Sequence, residues 1–446
     1  MHVEAHVRVK LRSIAIFGLL AGCNNLPEWS GDDEPVHPLE RTSIGRCGTG
    51  ALTAAGQARI TRHPYLQATT TTGTTIAWRD KSPSAHVVLR EPGGDVVAKA
   101  NAEPAGPNLV ATTFAALAPT HLYCYQLVDG EVALTEPAPL TTAAAPGLDE
   151  PIRFVAVGDT GNGSAAQKAI AKRMSAVAFD FVLFLGDIAY ESGTAKQLED
   201  YYFTIYRDLF RFVPAYPAIG NHERRTREGQ PWFDAMVLPK PERYYSFDWG
   251  DVHFVAIDTT QRDAQQLAWL DADLKKTKQA WKIVFGHHTL YTSSARMAQT
   301  LKIRKAFSKI LTDNKVDIML SGHEHQYERF RVADVNFIVS GGGGARLNSF
   351  WGNLDALKQA SVHHFLSFEA TAKTLTMKVL DISGRTIDTL PLEKGKAQGP
   401  QSPIKPEKEI KSDEKIHDEP DDDHTKPVKP EQKPPASEQK PIGPQR

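Results

Sequence analysis

The chain has 446 residues, 41% of them hydrophobic, and 52 Lys and Arg stand against 53 Asp and Glu for a net charge of -1. That length allows two or three domains, and the apolar share supports sizeable cores. Near-neutrality excludes a global field that would attract nucleic acid or an anionic membrane surface, so no nucleic-acid partner is expected.

The first segment reads as an export signal. Arg8, Lys10 and Arg12 precede an apolar run over 13–22, too short to cross a bilayer, which ends in Leu20-Ala21-Gly22-Cys23. That ending resembles a bacterial lipobox. It implies a signal peptide over 1–23, a lipid anchor on Cys23 and an exported cell-envelope lipoprotein. Asn24, which is not aspartate, favours the outer membrane. An ordinary secretory signal with an incidental cysteine is the alternative. The two remaining cysteines, Cys47 and Cys124, either form one disulfide in an oxidising compartment or are unrelated thiols.

Residues 24–58, polar and Pro-containing, are expected to be a tether. Over 59–146 short apolar or alternating runs at 75–78, 85–89, 111–114 and 122–127 are separated by turns such as Pro92-Gly93-Gly94-Asp95. They predict an all-β sandwich of the fibronectin or immunoglobulin kind. Over 150–393 the rhythm becomes strand, glycine, polar cluster, helix. Strands are predicted at 152–157, 181–185, 252–257, 282–285, 316–320 and 337–339. Helices are predicted at 167–178, 264–275 and 301–312, and further strands at 365–368 and 375–380 complete a second sheet. The fold class is therefore α/β: two β-sheets flanked by helices, preceded by the all-β sandwich. The tail over 395–446 contains no aromatic residue, is rich in Pro, Lys and Glu, and is expected to stay unfolded as a spacer or an envelope-binding segment.

Five short motifs carry the chemistry: Gly158-Asp159-Thr160-Gly161, Gly186-Asp187-Ile188-Ala189-Tyr190, Gly220-Asn221-His222-Glu223, Gly286-His287-His288 and Gly322-His323-Glu324-His325. Each follows a short apolar run, and all but the third follow a predicted strand. In α/β sheets ligands gather beyond the carboxyl ends of strands, so these loops can meet at one edge. Singly each is an ordinary turn. Together, with Asp, Asn and His as the donors, they read as a metal site.

This set resembles the purple acid phosphatases of the calcineurin-like metallophosphoesterase superfamily. The likeness extends to Arg62-His63-Pro64-Tyr65-Leu66-Gln67, Tyr245-Ser246-Phe247-Asp248-Trp249-Gly250 and Gln266-Leu267-Ala268-Trp269-Leu270. The resemblance puts Asp159, Asp187, Tyr190 and His325 on a first metal. It puts Asp187, as a bridge, with Asn221, His287 and His323 on a second. His287 is preferred to His288 because it completes Val284-Phe285-Gly286-His287. Most enzymes of the wider superfamily begin with Asp-x-His, where the His is a ligand. Here Gly161 takes that place, and Tyr190 lies three residues after Asp187.

Two carboxylates, a phenolate and one imidazole suit a trivalent ion, Fe(III). The second set suits Zn(II), Fe(II) or Mn(II). The expected reaction is hydrolysis of a small-molecule phosphate monoester by metal-bound hydroxide, without a covalent intermediate. The alternatives are a phosphodiesterase or nucleotide-cleaving enzyme and, outside catalysis, an envelope-binding lipoprotein.

Beside the ligands, His222 is the expected catalytic residue, donating to phosphate or protonating the leaving group, and Asn221 and His222 are expected to touch substrate. Glu223 is expected to fix a loop or a His, Glu324 to point away from the metals, and His288 to line the pocket. Many family members place another His after the fourth motif. Here residues 289–296 contain none, and Arg296 is the candidate phosphate contact. Gly341-Gly342-Gly343-Gly344 either lets Arg346 or the backbone approach the pocket or is a flexible loop.

Overall fold

Phe154 shows how the core is built. It lies on the strand Ile152–Val157, fully buried, stacked on Phe368 at 4.4 Å and Phe181 at 5.2 Å, with the edge of Phe254 at 5.0 Å. Phe181 and Phe368 share its sheet, and Phe254 comes from the facing one. Such offset and edge-on pairs add to the burial of large apolar surface between two sheets. The computed structural model describes residues 38–82, 84–350 and 355–404. The lipobox with Cys23 and the tail over 405–446 lie outside the described residues.

The first of these sheets has the order Ala215–Pro217, Phe181–Phe184, Ile152–Val157, His364–Ala370, Thr374–Asp381, Thr386–Glu393. The facing sheet has the order Tyr245–Trp249, Val252–Ala256, Trp281–Phe285, Ile318–Ser321, Val335–Ser340, Tyr327–Val332, Lys358–Ala360. Both are mixed. In the first, the three strands from Ala215–Pro217 to Ile152–Val157 pair in parallel and the remaining three antiparallel; in the second, the central strands pair in parallel and the outer ones add antiparallel partners. The central strands are buried on both faces, so they read as continuous apolar runs, whereas Thr374–Asp381 alternates. Helices Ala264–Lys276 and Thr300–Asp313 cover the outer face of the second sheet through Leu270, Leu274, Ile303, Phe307 and Leu311. Asp263 caps the first of them, accepting from Gln266 N at 3.0 Å.

Ahead of this lies a β-sandwich. Ile60–Gln67, Thr74–Asp80, Leu109–Phe114 and Glu103–Gly106 form one sheet. Val96–Asn101, His86–Arg90, Leu122–Asp129 and Val132–Ala133 form the other, with Ala138–Thr141 paired to Leu122–Asp129. Three tyrosines fasten the sandwich to the larger domain. Tyr65 Oη donates to Ala235 O at 2.7 Å, Tyr125 Oη to Arg211 O at 2.9 Å and Tyr216 Oη to Thr69 O at 2.6 Å.

Two expectations are corrected. Within the segment read as a tether, 38–58 holds two helices, Pro38–Cys47 and Ala54–Arg59. Cys47 and Cys124 are joined as a disulfide with Cα atoms 5.3 Å apart, which ties this segment to the sandwich. Thr53 caps the second helix through its side chain. At the other end, residues read as the start of a free tail dock on the second sheet. Ser402 N donates to Arg331 O at 2.8 Å, Arg331 N returns a bond to Ser402 Oγ at 3.1 Å, and Ile404 packs against the outer core cluster. A backbone edge offers such bonds to any sequence, so composition does not reveal them.

The hairpin Tyr245–Trp249 to Val252–Ala256 is pinned to helix Ala264–Lys276 by His253, whose Nδ1 faces Asp248 Oδ1 at 2.6 Å and Nε2 faces Asp273 Oδ2 at 2.9 Å. Burial lowers this imidazole's pKa, but the two carboxylates prevail and push it up from 6.5 to about 9. A raised folded-state pKa gives stability that is fully present below about pH 6.5 and is lost as pH rises through about 9. With half-exposed Asp248 discounted, the effect is on the order of 2 kcal/mol. Wild-type unfolding free energy should fall across that window relative to His253→Gln. Equal slopes in the two proteins, measured by denaturant titration, would rule this assignment out.

Candidate metal centre

The five motifs occupy the loops after Ile152–Val157, Phe181–Phe184, Ala215–Pro217, Trp281–Phe285 and Ile318–Ser321, all parallel-paired strands. Three candidate ligands there have left-handed backbones although none is glycine: Asp159 at φ 59°, Asp187 at φ 52° and His323 at φ 69°. Each such conformation costs on the order of 1–3 kcal/mol and persists only where surrounding bonds fix it. Those bonds are visible. Asp159 N donates to Gly186 O at 3.1 Å, and His323 N donates to Asp159 Oδ2 at 2.9 Å. Glu223, fully buried, accepts from Asp187 N and Gly220 N at 2.9 Å and from Ile188 N and Ala189 N at 3.0 Å. Burial and the nearby Asp187 carboxylate push Glu223 up to about 7, against the pull of these donors. Glu223 therefore fixes the loop that carries Asp187 and Tyr190.

The donor atoms converge in two groups. In the first, Asp159 Oδ1 lies 2.9 Å from Tyr190 Oη, which lies 3.2 Å from His325 Nε2, itself 3.4 Å from Asp159 Oδ1. In the second, His287 Nε2 lies 2.8 Å from Asn221 Oδ1, 3.1 Å from Asp187 Oδ2 and 3.3 Å from His323 Nδ1. His323 Nδ1 is 3.2 Å from Asn221 Oδ1. Ligand atoms about 2.1 Å from one ion are spaced roughly 3.0–3.4 Å apart, so both groups fit a bound metal. Two imidazoles present a lone pair inward because their other nitrogen donates to a carbonyl. His287 Nδ1 bonds Leu185 O at 2.9 Å, and His325 Nδ1 bonds Arg346 O at 2.7 Å.

Burial raises Asp187, but the imidazoles of His287 and His222 more than offset that and hold it well below the ordinary carboxylate range. Burial, then Asp159 and Asp187, push the Tyr190 phenol well above its ordinary range. Burial, then His288 and His287, hold His323 neutral.

Gly161 explains the absent histidine. A Cβ there would lie 1.9 Å from Ile188 C, 2.0 Å from Ile188 O and 2.3 Å from Ala189 N. The Tyr190 loop fills the space a side chain would need, and Tyr190 N donates to Gly161 O at 2.6 Å. Glycine at this position and tyrosine three residues after Asp187 are therefore one packing arrangement.

Around the donors, His222 is buried, its Nδ1 bonding Glu191 O at 2.7 Å and its ring 4.3 Å from that of Tyr190. Its Nε2 is left facing Asp187 Oδ2 at 3.8 Å. Arg296 Nη1 donates to His323 O at 3.2 Å and lies 3.7 Å from Glu324 Oε2. His288 turns aside to Thr259 Oγ1 at 2.9 Å, with its ring 4.5 Å from that of His323. Glu324 faces Arg296 and Asn348, away from both donor groups. The glycines at 341–344 are buried, with Gly343 N bonding Gly158 O at 3.0 Å and Ala345 N bonding Asp159 O at 2.9 Å. The backbone, not a flexible loop and not the Arg346 side chain, approaches the donors.

Sequence reasoning missed the carbonyls of Leu185, Arg346 and Glu191, which orient three imidazoles, since main-chain atoms leave no residue signature. It also missed Glu328. That buried carboxylate holds the loop before Arg296 by accepting from Thr292 Oγ1 at 2.6 Å and Ser293 N at 2.8 Å.

The model of the calcineurin-like phosphoesterase family matches residues 152–327, which carry all five motifs. The chain contains a calcineurin-like phosphoesterase domain. Its relatives include purple acid phosphatase 4 of Arabidopsis thaliana, 26% identical over 319 residues that cover 60% of this chain and 91% of that one. Purple acid phosphatase 21 of the same plant is 30% identical over 203 residues, 41% of this chain and 45% of that one. Among solved structures, a purple acid phosphatase from yellow lupin (Lupinus luteus) seeds superposes with a TM-score of 0.65 at 20% identity, covering 74% of each chain. At that identity the likeness concerns the fold: a phosphoesterase domain of two mixed sheets with a β-domain ahead of it. The matched domain and these relatives support a phosphatase that hydrolyses phosphoesters at a two-metal centre.

Proposed function

We propose that this protein is an acid phosphatase for small-molecule phosphate monoesters with an Fe(III)–M(II) centre, M(II) being Zn, Fe or Mn. The observation that carries the reading is the triangle of Asp159 Oδ1, Tyr190 Oη and His325 Nε2. With Asp187 it offers three anionic oxygens and one imidazole, a donor set suited to a trivalent ion. Asn221, Asp187, His287 and His323, with fewer charges, suit a divalent one. When bound, such a pair neutralises phosphate charge and lowers the pKa of water.

The chain's own groups then have distinct tasks. Asn221 and His222, the first two residues of a short helix, meet the phosphate through their side chains. His222 donates from Nδ1 to Glu191 O, so its imidazolium form carries a second N–H at Nε2 to donate to the phosphate or to the leaving oxygen. Arg296, braced on His323 O, supplies positive charge where related enzymes use histidine. Cys23 is the proposed lipid anchor to the cell envelope. No helix among the described residues is long and apolar enough to cross a membrane.

Visible spectroscopy with metal analysis tests the reading. Purified protein should contain iron and absorb through phenolate-to-Fe(III) charge transfer, and Tyr190→Phe should abolish that band. It should turn over p-nitrophenyl phosphate faster than the bis-ester. Iron-free active protein would refute the Fe(III) assignment, and preference for the bis-ester would make it a diesterase.

A further inference from the structure

The opening segment of the sandwich, Arg62-His63-Pro64-Tyr65, plays no part in the centre described above, yet it lines a cavity of about 220 Å³. The cavity lies at the seam between the sandwich and the larger domain, against Glu199, Phe203, Thr204 and Arg207. None of its lining residues is a candidate metal ligand.

Arg62 is 3% exposed. Its guanidinium lies 3.6 Å from the Phe203 ring centroid, and its Nε and Nη2 donate to Glu199 Oε2 at 2.9 and 2.7 Å. Its Nη1, also buried, has no hydrogen-bond partner among the described residues, and neither has His63 Nδ1. A buried N–H left unpaired costs on the order of 1–3 kcal/mol. The unpaired Arg62 N–H and the unpartnered His63 Nδ1, on two residues that line one cavity, point to a ligand.

Charge gives the ligand's sign. Arg62 and Arg79 both face Glu199, so two guanidinium groups share that carboxylate, and Arg207 and Arg211 stand beside Asp208 at the same seam. His63 adds no charge. Burial, then Arg207 and Arg211, push it down to about 4, so at neutral pH it offers a neutral imidazole.

We propose that this seam cavity binds a phosphate group, held by the fixed fork of Arg62, by Arg207 and by the imidazole of His63. A guanidinium already oriented by a carboxylate and an aromatic face loses little freedom on binding a tetrahedral oxyanion. Thr204, at the start of the turn toward Arg207, adds a hydroxyl. The site does not depend on the metals, and it joins the sandwich to the helix that follows the Tyr190 loop.

Calorimetric titration of the full-length, metal-loaded protein with inorganic phosphate tests this. Wild type should take two equivalents, one at the metals and one at the seam. Arg207→Ala, which removes a partly exposed side chain remote from the metal ligands, should take one and keep its p-nitrophenyl phosphate turnover. Arg62→Lys, which keeps the charge but loses the fork, should weaken the second equivalent by about tenfold. Methylphosphonate binding at the seam as tightly as phosphate would support a phosphorylated compound as the source of the group. Its rejection, with phosphate still bound, would support free phosphate. A single equivalent in wild type, or two at unchanged affinity in both variants, would overturn the proposal.

Discussion

Asp187→Asn should lose p-nitrophenyl phosphate turnover by on the order of 10⁴-fold in kcat/KM, about 5.5 kcal/mol of transition-state stabilisation, while keeping its fold. Asparagine retains the shape of the side chain and an oxygen to accept from His222 N, now 3.0 Å from Asp187 Oδ1. It also tolerates the φ of 52° better than most residues. What it removes is the negative charge that the two buried imidazoles of His287 and His222 face. Without that charge the second group keeps an amide and two imidazoles, and neither group keeps the carboxylate proposed to join them. Metal content should fall along with turnover, while far-UV circular dichroism stays close to wild type. Turnover within tenfold of wild type, at full purity, would remove Asp187 from the centre and with it the two-metal assignment.

The fold was legible in the sequence wherever burial was two-sided or strictly periodic. The runs at 152–157 and 181–185 read as strands because both faces of their sheet are covered, leaving no polar positions to interrupt them. The five glycine-containing loops stood out because close backbone approach to the donors leaves little room for side chains beside them. Less legible were features held by the main chain. Helix Pro38–Cys47 is weakly amphipathic and sits in a stretch whose composition suits a tether, so a disulfide and packing decide it, not pattern. The docking of Ser402 on Arg331 uses one backbone bond and one to the serine hydroxyl, neither of which composition announces. Glu223 illustrates a middle case. Its place next to His222 suggested an orienting role, but only the fold shows that four N–H groups from two loops converge on it. Arg296 is another. The sequence showed a missing histidine and an arginine nearby, and the structure adds that Glu328 and Glu324 hold that arginine's loop and guanidinium beside His323.

Gly161→Ala should destabilise the protein by roughly 3 kcal/mol or more and disturb the centre at the same time, although alanine adds a single methyl group. That methyl would fall 1.9–2.3 Å from Ile188 C, Ile188 O and Ala189 N, which are main-chain atoms without rotamers to swing aside. Relief requires the loop to move outward by more than an ångström. Glu223 resists that movement by binding Ile188 N and Ala189 N, and so does the bond from Tyr190 N to Gly161 O. Breaking either set leaves buried donors unpaired. Whichever gives way, Tyr190 Oη leaves its position 2.9 Å from Asp159 Oδ1, so the absorption proposed for a phenolate on Fe(III) should weaken together with the unfolding midpoint. Gly45→Ala is the matching control. Nothing lies within 4 Å of a Cβ there, and the residue sits inside helix Pro38–Cys47, so stability should be unchanged or rise by up to about 1 kcal/mol. Gly161→His, which restores an Asp-x-His pattern, should be no better than alanine, because the obstruction is at Cβ and precedes any ligand chemistry. If Gly161→Ala melted with wild type and kept its colour, the coupling between the absent histidine and the added tyrosine would be wrong. Tyr190 would then have to be explained by metal preference alone. If instead stability and absorption fall together, the tyrosine and the glycine are two halves of one structural choice: the loop delivers a phenol to the first donor group by filling the space a histidine would occupy.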